Sequence, residues 1–344
     1  MRGLAAGTSR WFGRLKTWFQ YMVGGDLTIL AGAMIKRPMG GALAPAPDPS
    51  PHASSQDAHL LALLVLLRPH QWAKNLLVFL PLLFHHSWTE GSAWQAASLA
   101  SAVMSLCASA IYILNDIMDA EDDRSHPGKR RRPIADRTLT PAFGLAAAVV
   151  LLAGAAAVAI SLPRAFAAYA GVYAALAVVY VLGAKRIVIL DIMILASLYT
   201  VRILAGAAAT HIPVSAWLLA FSVFFFFSLA LAKRCSELTM WGDRIPGRPY
   251  RPEDYLALSA SGVASGYAGV VVFAQYVHSP DTASLYRHPE MLWLVCPILL
   301  YWITRVWLLT NRGQMDEDGI LFALRDKASY AAGVLTVVVV ACAL

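Results

Sequence analysis

The sequence predicts an all-α membrane protein with about nine transmembrane helices, and three observations carry that prediction. The 344 residues are 58% hydrophobic and only 14% charged, with a mean hydropathy of +0.57, too apolar for a soluble domain. From residue 60 onward, apolar segments recur about every 25 residues, and about 20 such residues cross the hydrocarbon core as a helix. The basic residues behind the net charge of +7 gather in every second loop.

Taken in order, residues 1–37 mix Arg, Lys, Trp and Phe with one modest apolar run and read as an amphipathic segment at the membrane surface. No cleavage-type site follows a clean hydrophobic stretch, so a removed signal is not expected. Residues 38–58 are rich in Pro, Gly, Ala and Ser and read as a disordered linker. The transmembrane domain is expected over 59–344, with candidate spans near 70–87, 93–114, 141–162, 165–184, 187–209, 214–232, 256–278, 290–311 and 327–344.

Loops after the second, fourth, sixth and eighth spans hold the positive charge. They include Arg124, Lys129 to Arg132 and Arg137, then Lys185 and Arg186, then Lys233, Arg234, Arg244, Arg248 and Arg251, then Arg312 and Arg325. The alternate loops offer little beyond Arg164 and Arg287. A multi-pass protein of the plasma (inner) membrane is expected, with its N-terminus and motif-bearing loops in the cytoplasm.

The chemistry-bearing segment is Asn115-Asp116-Ile117-Met118-Asp119-Ala120-Glu121-Asp122-Asp123. Asp116, Asp119 and Asp123 fall at i, i+3 and i+7 and share one face of a continuous helix. Three carboxylates on one face repel unless a cation sits between them, and hard oxygen donors suit Mg²⁺ completed by water and substrate phosphates. Lys129, Arg130, Arg131 and Arg132 follow at once, so acids for a metal adjoin bases for phosphate oxygens. That pairing suggests a diphosphate-handling site at a membrane surface; the alternative is a charged loop that only fixes topology.

Asp191 lies early in the fifth candidate span, with Tyr199 and Arg202 farther along it. Eleven residues are about three helical turns, so Asp191 and Arg202 project in nearly the same direction. Ionisable groups in a membrane helix usually face a polar cavity, although an internal Asp–Arg pair would also account for them. Lys74 and Asn75 open the first span, where an interfacial anchor is an equal alternative. Lys233 and Arg234 leave the sixth span, and that basic pair could hold a phosphate or could be ordinary interfacial charge. Cys107, Cys235, Cys296 and Cys342 have no short spacing and read as small buried hydrophobes. Nucleic-acid binding is not indicated, and no Gly-rich Lys loop, Cys-x-x-Cys or Gly-x-Ser-x-Gly elbow is present.

The Asn115-Asp-x-x-Asp119-x-x-x-Asp123 motif, followed by a second acidic position three spans later, resembles the UbiA-type intramembrane prenyltransferase superfamily. The resemblance covers roughly residues 60–344 and implies nine helices around a central cavity, with two acidic motifs holding Mg²⁺ and a diphosphate. It carries Asp116, Asp119 and Asp123 over as metal ligands and Asn115 as an accessory one. Arg68-Pro-His-Gln-Trp72-x-Lys74-Asn75, Asp123-x-x-His126-Pro127-x-Lys129-Arg130-x-Arg132-Pro133, Lys233-Arg234 with Glu237-Leu238, and Phe322-Ala-Leu-x-Asp326 are similar to the decaprenyl-phosphate phosphoribosyltransferase branch. That branch implies transfer of 5-phosphoribose from phosphoribosyl diphosphate to a polyprenyl phosphate, for cell-wall sugar donors. The superfamily's second motif usually has two or more aspartates, whereas Asp191 here stands alone.

On this reading Lys129, Arg130 and Arg132 hold the donor's 5-phosphate, Lys74 and Lys233 receive the lipid phosphate, and Asp191 takes a second metal or the ribose hydroxyls. Two rivals remain: an isoprenyl diphosphate donor with an aromatic or other acceptor, and a transporter coupled through Asp191 and Arg202. Homo-oligomerisation is left open.

Overall fold

A computed structural model of the protein describes residues 62–125, 129–241, 247–315 and 319–344. Its described residues are helical, with no strand among them. The expected surface segment and linker, 1–58, lie outside them, as do His126, Pro127 and residues 316–318.

Chain order begins with a 3₁₀ segment, Pro69–Phe79, that runs into α1 (Leu80–Phe84). Next come α2 (Gly91–Met118), α3 (Ala120–Ser125), α4 (Pro141–Ala159), α5 (Arg164–Leu182), α6 (Leu190–Thr210) and α7 (Ala216–Trp241). The chain closes with α8 (Tyr255–Val277), α9 (Pro280–Leu285), α10 (Val295–Asn311), α11 (Gly319–Ala323) and α12 (Lys327–Ala343).

Seven described helices are long and apolar enough to cross a membrane: α2, α4, α5, α6, α7 and the helices ending at Val277 and Asn311. They match seven of the expected spans. The last expected span is the shorter apolar helix α12, 17 residues long. The first, 70–87, is not a regular α-helix. Pro81 cannot donate a backbone bond to Leu77, and the chain ahead of it winds as 3₁₀.

An 11-residue 3₁₀ run is unusual and has a geometric consequence. Three residues per turn stack side chains at i and i+3, so Gln71 and Lys74 rise in one row above Arg68. A second row holds Trp72, Asn75 and Val78. Trp72 Nε1 donates to Ser109 Oγ at 2.9 Å and Asn75 Nδ2 to Ser105 Oγ at 2.8 Å, both on α2. Val78 lies against α6 at Gly206, where an added Cβ would fall 2.0 Å from the Val78 carbonyl oxygen. Only glycine allows that approach.

α6 is the central helix, contributing to two apolar clusters. Ile192, Ala196, Tyr199 and Ile203 join residues of α7, α8 and α10, while Val201, Ala205 and Ala209 join residues of α2 and α5. Its apolar window is 67% buried, against 17% for α4 and 28% for α5. Those two outer helices leave Val149, Val150, Val172 and Val179 exposed, as helices facing lipid do. The chain is a multi-pass membrane protein. Thr140 starts α4 by accepting from the Phe143 amide at 3.2 Å, with Pro141 pre-set for the first turn.

Candidate active site

The 3₁₀ row points its charged side chains at α2, α5, α6 and α7, and between these elements lies a polar cavity of about 420 Å³. Arg68, Gln71 and Lys74 line it from the first segment, with Tyr112, Asn115 and Asp119 from α2 and its end. Lys129 and Arg132 line it from the basic loop, with Tyr173 and Tyr180 from α5 and Tyr199 and Arg202 from α6. Lys233, Arg248 and Arg325 complete the charged lining.

The acidic edge departs from one expectation. α2 ends at Met118, and Asp119 sits between α2 and α3 with φ −95° and ψ 4°. The three aspartates therefore do not converge from one continuous helix face. Asp116, 2% exposed, accepts from Arg68 at 2.5 Å and from Arg132 Nη1 at 3.1 Å. The same Nη1 donates to Asp123 at 2.6 Å, so one nitrogen bridges two carboxylates. Asp119 turns instead to Lys185, whose Nζ reaches its carboxylate at 2.5 Å and the Asn115 side-chain oxygen at 3.2 Å. Burial pushes the Asp123 carboxyl above its usual range, while Arg132 beside it works the other way.

This donor set fits a hard cation. Every candidate ligand offers oxygen, and a cationic nitrogen already serves Asp116 and Asp123 together. Among the described residues no three His, Cys, Asp or Glu side chains gather around one point. Two carboxylates with water and substrate phosphates nevertheless suffice for Mg²⁺.

Deeper in, Arg202 is 4% exposed and fully engaged. Its Nε donates to Asn75 Oδ1 at 2.8 Å, Nη2 to Tyr173 OH at 2.9 Å and Nη1 to the Leu198 carbonyl at 2.6 Å. The guanidinium lies 4.6 Å from the Tyr173 ring centre and 5.8 Å from that of Tyr199, and Lys74 Nζ lies 5.9 Å from Tyr199. Arg202 sits about 16 Å along α6 from Asp191 by helical rise, so the cavity penetrates well into the bundle.

Asp191 is placed elsewhere. It is 0% exposed and outside the cavity lining. Its Oδ2 accepts from Arg234 Nη2 at 2.6 Å and its Oδ1 from the Tyr250 hydroxyl. The Asp191–Arg202 pair considered from the sequence does not form; Arg234, likewise 0% exposed, is the partner, and it also bonds Glu237. Arg234 therefore does not line the cavity, and Arg130 is exposed outside it. Lys74, Asn115, Asp119, Lys129, Arg132, Tyr199, Arg202 and Lys233 do line it, while Asn75 supports it through Arg202.

Sequence reasoning passed over Lys185, Tyr173, Tyr250 and Arg248. Lys185 reads as one more topology charge, and the tyrosines carry no motif. Burial pushes the Tyr250 phenol upward, with its bond to Asp191 adding to the effect, so it remains a donor.

The profile of the UbiA prenyltransferase family matches residues 75–328. Uncharacterized protein y4nM of Sinorhizobium fredii is 37% identical over 277 residues, covering 78% of this chain and 53% of that protein. Nodulation protein NoeC of Azorhizobium caulinodans is 39% identical over 271 residues, 76% of this chain and 86% of its own length. The decaprenyl-phosphate phosphoribosyltransferase of Mycobacterium tuberculosis is 37% identical over 178 residues, 50% of this chain and 58% of that enzyme. The chain thus spans little more than half the length of the first and third of these relatives. In fold, it resembles a UbiA homolog from Archaeoglobus fulgidus bound to GPP and Mg²⁺, with a TM-score of 0.62 at 16% identity over 81% of this chain and 97% of that one. The chain is a multi-pass membrane protein that belongs to the UbiA prenyltransferase family.

Proposed function

We propose that the protein transfers 5-phosphoribose from phosphoribosyl diphosphate to a polyprenyl phosphate, with Mg²⁺ as cofactor. The observation that carries this reading is the charge of the cavity: eight Arg and Lys side chains line it, against one carboxylate, Asp119. An isoprenyl diphosphate brings one diphosphate and a long apolar tail. A phosphoribosyl donor and a lipid phosphate together bring one diphosphate and two monophosphates, four phosphates in all, which suits the excess of cations. The named activity of the mycobacterial relative supports the same choice.

Asp116 and Asp123 would hold the metal, with Asp119 and Asn115 beside it. Bound there, Mg²⁺ supplies charge neutralisation to the departing diphosphate. Arg68 and Arg132, now on the carboxylates, are placed to bind diphosphate oxygens once the acids have another cation. Lys129 beside Arg132 takes the donor's 5-phosphate. Lys74 and Lys233 receive the lipid phosphate and set its oxygen toward the ribose C1, where positive character develops as the C1–O bond opens. The tyrosine faces and Arg202 keep that oxygen and the sugar in a partly dry space. The concentration of basic residues in this end's loops supports a cytoplasmic opening.

Donor choice tests the reading. Displacement of labelled phosphoribosyl diphosphate from detergent-solubilised protein should need at least about tenfold more geranyl diphosphate than unlabelled donor, or about 1.4 kcal/mol. Equal or tighter binding of geranyl diphosphate would move the protein to prenyl transfer.

A further inference from the structure

The second acidic position is built differently from a metal site. Both Asp191 oxygens are occupied, one by Arg234 at 2.6 Å and one by Tyr250, and neither Asp191 nor Arg234 is exposed. One guanidinium is shared by this carboxylate and Glu237, which its other amino group bonds. A metal would have to expel both partners into a space closed to solvent, leaving Arg234 buried against a second cation.

The bonds of Tyr250 lead back toward the cavity. Its oxygen accepts from the Ile189 amide at 2.8 Å. Ile189 has φ 67°, a conformation a β-branched residue holds only when its surroundings impose it. Tyr250 thus pins the residue that opens α6. Pro249 stiffens the link from Tyr250 to Arg248. Arg248 donates to the Lys185 carbonyl at 3.1 Å and lies 5.3 Å from the Tyr180 ring centre. The Lys185 ammonium reaches Asp119 at 2.5 Å and Asn115 at 3.2 Å. Contacts therefore run from Asp191 through Tyr250, Arg248 and Lys185 to the acidic edge.

We propose that Asp191 is a positioning residue that takes no metal: with Arg234 as its buried counter-charge, it holds Tyr250 and through it Arg248 and Lys185 at the diphosphate end of the cavity. The inference rests on reading the Asp116, Asp119 and Asp123 edge as that end.

The test uses Mn²⁺ counted by electron paramagnetic resonance, and inorganic diphosphate binding by calorimetry, on the full chain in detergent. Tyr250→Phe and Asp191→Asn should keep the wild-type number of bound Mn²⁺ while binding diphosphate about fivefold more weakly, close to 1 kcal/mol. Asp116→Asn should lose Mn²⁺. Loss of a bound Mn²⁺ in folded Asp191→Asn would overturn the proposal, as would unchanged diphosphate affinity in Tyr250→Phe. If Asp191→Asn does not fold, the double variant Asp191→Asn/Arg234→Gln removes both buried charges. A folded double variant with the full Mn²⁺ count supports the proposal, and one that has lost Mn²⁺ refutes it. Wild-type protein that binds no Mn²⁺ refutes the reading of the acidic edge instead, and the Tyr250→Phe diphosphate affinity then decides the positioning role alone.

Discussion

Asp119 and Asp191 both stand at helix ends at the same end of the bundle, and both carry a cation within 2.6 Å, yet they do opposite things. The Asp119 side chain is 23% exposed at a cavity wall and shares Lys185 with Asn115. Asp191 is 0% exposed and shares Arg234 and Tyr250 with no opening beside it. A partly exposed pair can exchange partners, because water and substrate replace what is lost. A closed one cannot, since no water enters to replace a partner that is lost. Exposure of at least one member of the pair separates the two cases. Arg68 and Arg132, on the buried Asp116 and Asp123, are 16% and 22% exposed, whereas Arg234 and Asp191 are both 0% exposed.

Removing one charge at each site sharpens the contrast. Asp191→Leu leaves the buried Arg234 guanidinium with Glu237 alone and the Tyr250 hydroxyl without its acceptor, and about 3 kcal/mol of stability should be lost. Folded yield and thermal midpoint in detergent would report it; a variant as stable as wild type would break the comparison. Asp119→Asn leaves the buried Lys185 ammonium with amide oxygens only, so the thermal midpoint should fall by less than in Asp191→Leu while turnover drops about 100-fold, close to 2.7 kcal/mol, as expected for a group at the diphosphate end of the cavity. A fully active Asp119→Asn would remove this residue from the site.

A third acid gives the smallest effect. Asp326 accepts from Arg305 at 2.7 and 2.9 Å and caps α12 through the Ser329 amide at 2.8 Å. Burial raises its carboxyl, but the bonds from Arg305 and Ser329 outweigh that and hold it below the usual range. Its stabilisation is therefore present above the unfolded carboxylate value near pH 4 and fades as pH falls through the lower folded one. Asp326→Asn should cost about 1 kcal/mol at neutral pH, and that difference from wild type should shrink on acidification. A difference that grows with acid would contradict the assignment.

Much of this was legible in the residues themselves. The spacing of Asp116, Asp119 and Asp123 beside a basic run marked the acidic edge, and apolar run lengths located seven of the spans. What stayed hidden depends on geometry that spacing does not encode. The 3₁₀ winding of Pro69–Phe79 moves residues 68, 71 and 74 into one row, whereas an α-helical reading would turn them progressively apart. The partner of Asp191 lies 43 residues away on another helix, and Arg202, in near register on its own helix, finds Asn75 and Tyr173 instead. Tyr250 lies in a stretch between α7 and α8 whose sequence carries no periodicity to read.

The most direct measurement is a transfer assay in detergent with radiolabelled phosphoribosyl diphosphate, polyprenyl phosphate and Mg²⁺, run on wild type and Asp116→Ala. A labelled lipid product that requires Mg²⁺ and vanishes in Asp116→Ala is the result predicted. No lipid product from that donor, with geranyl diphosphate consumed in its place, would contradict it.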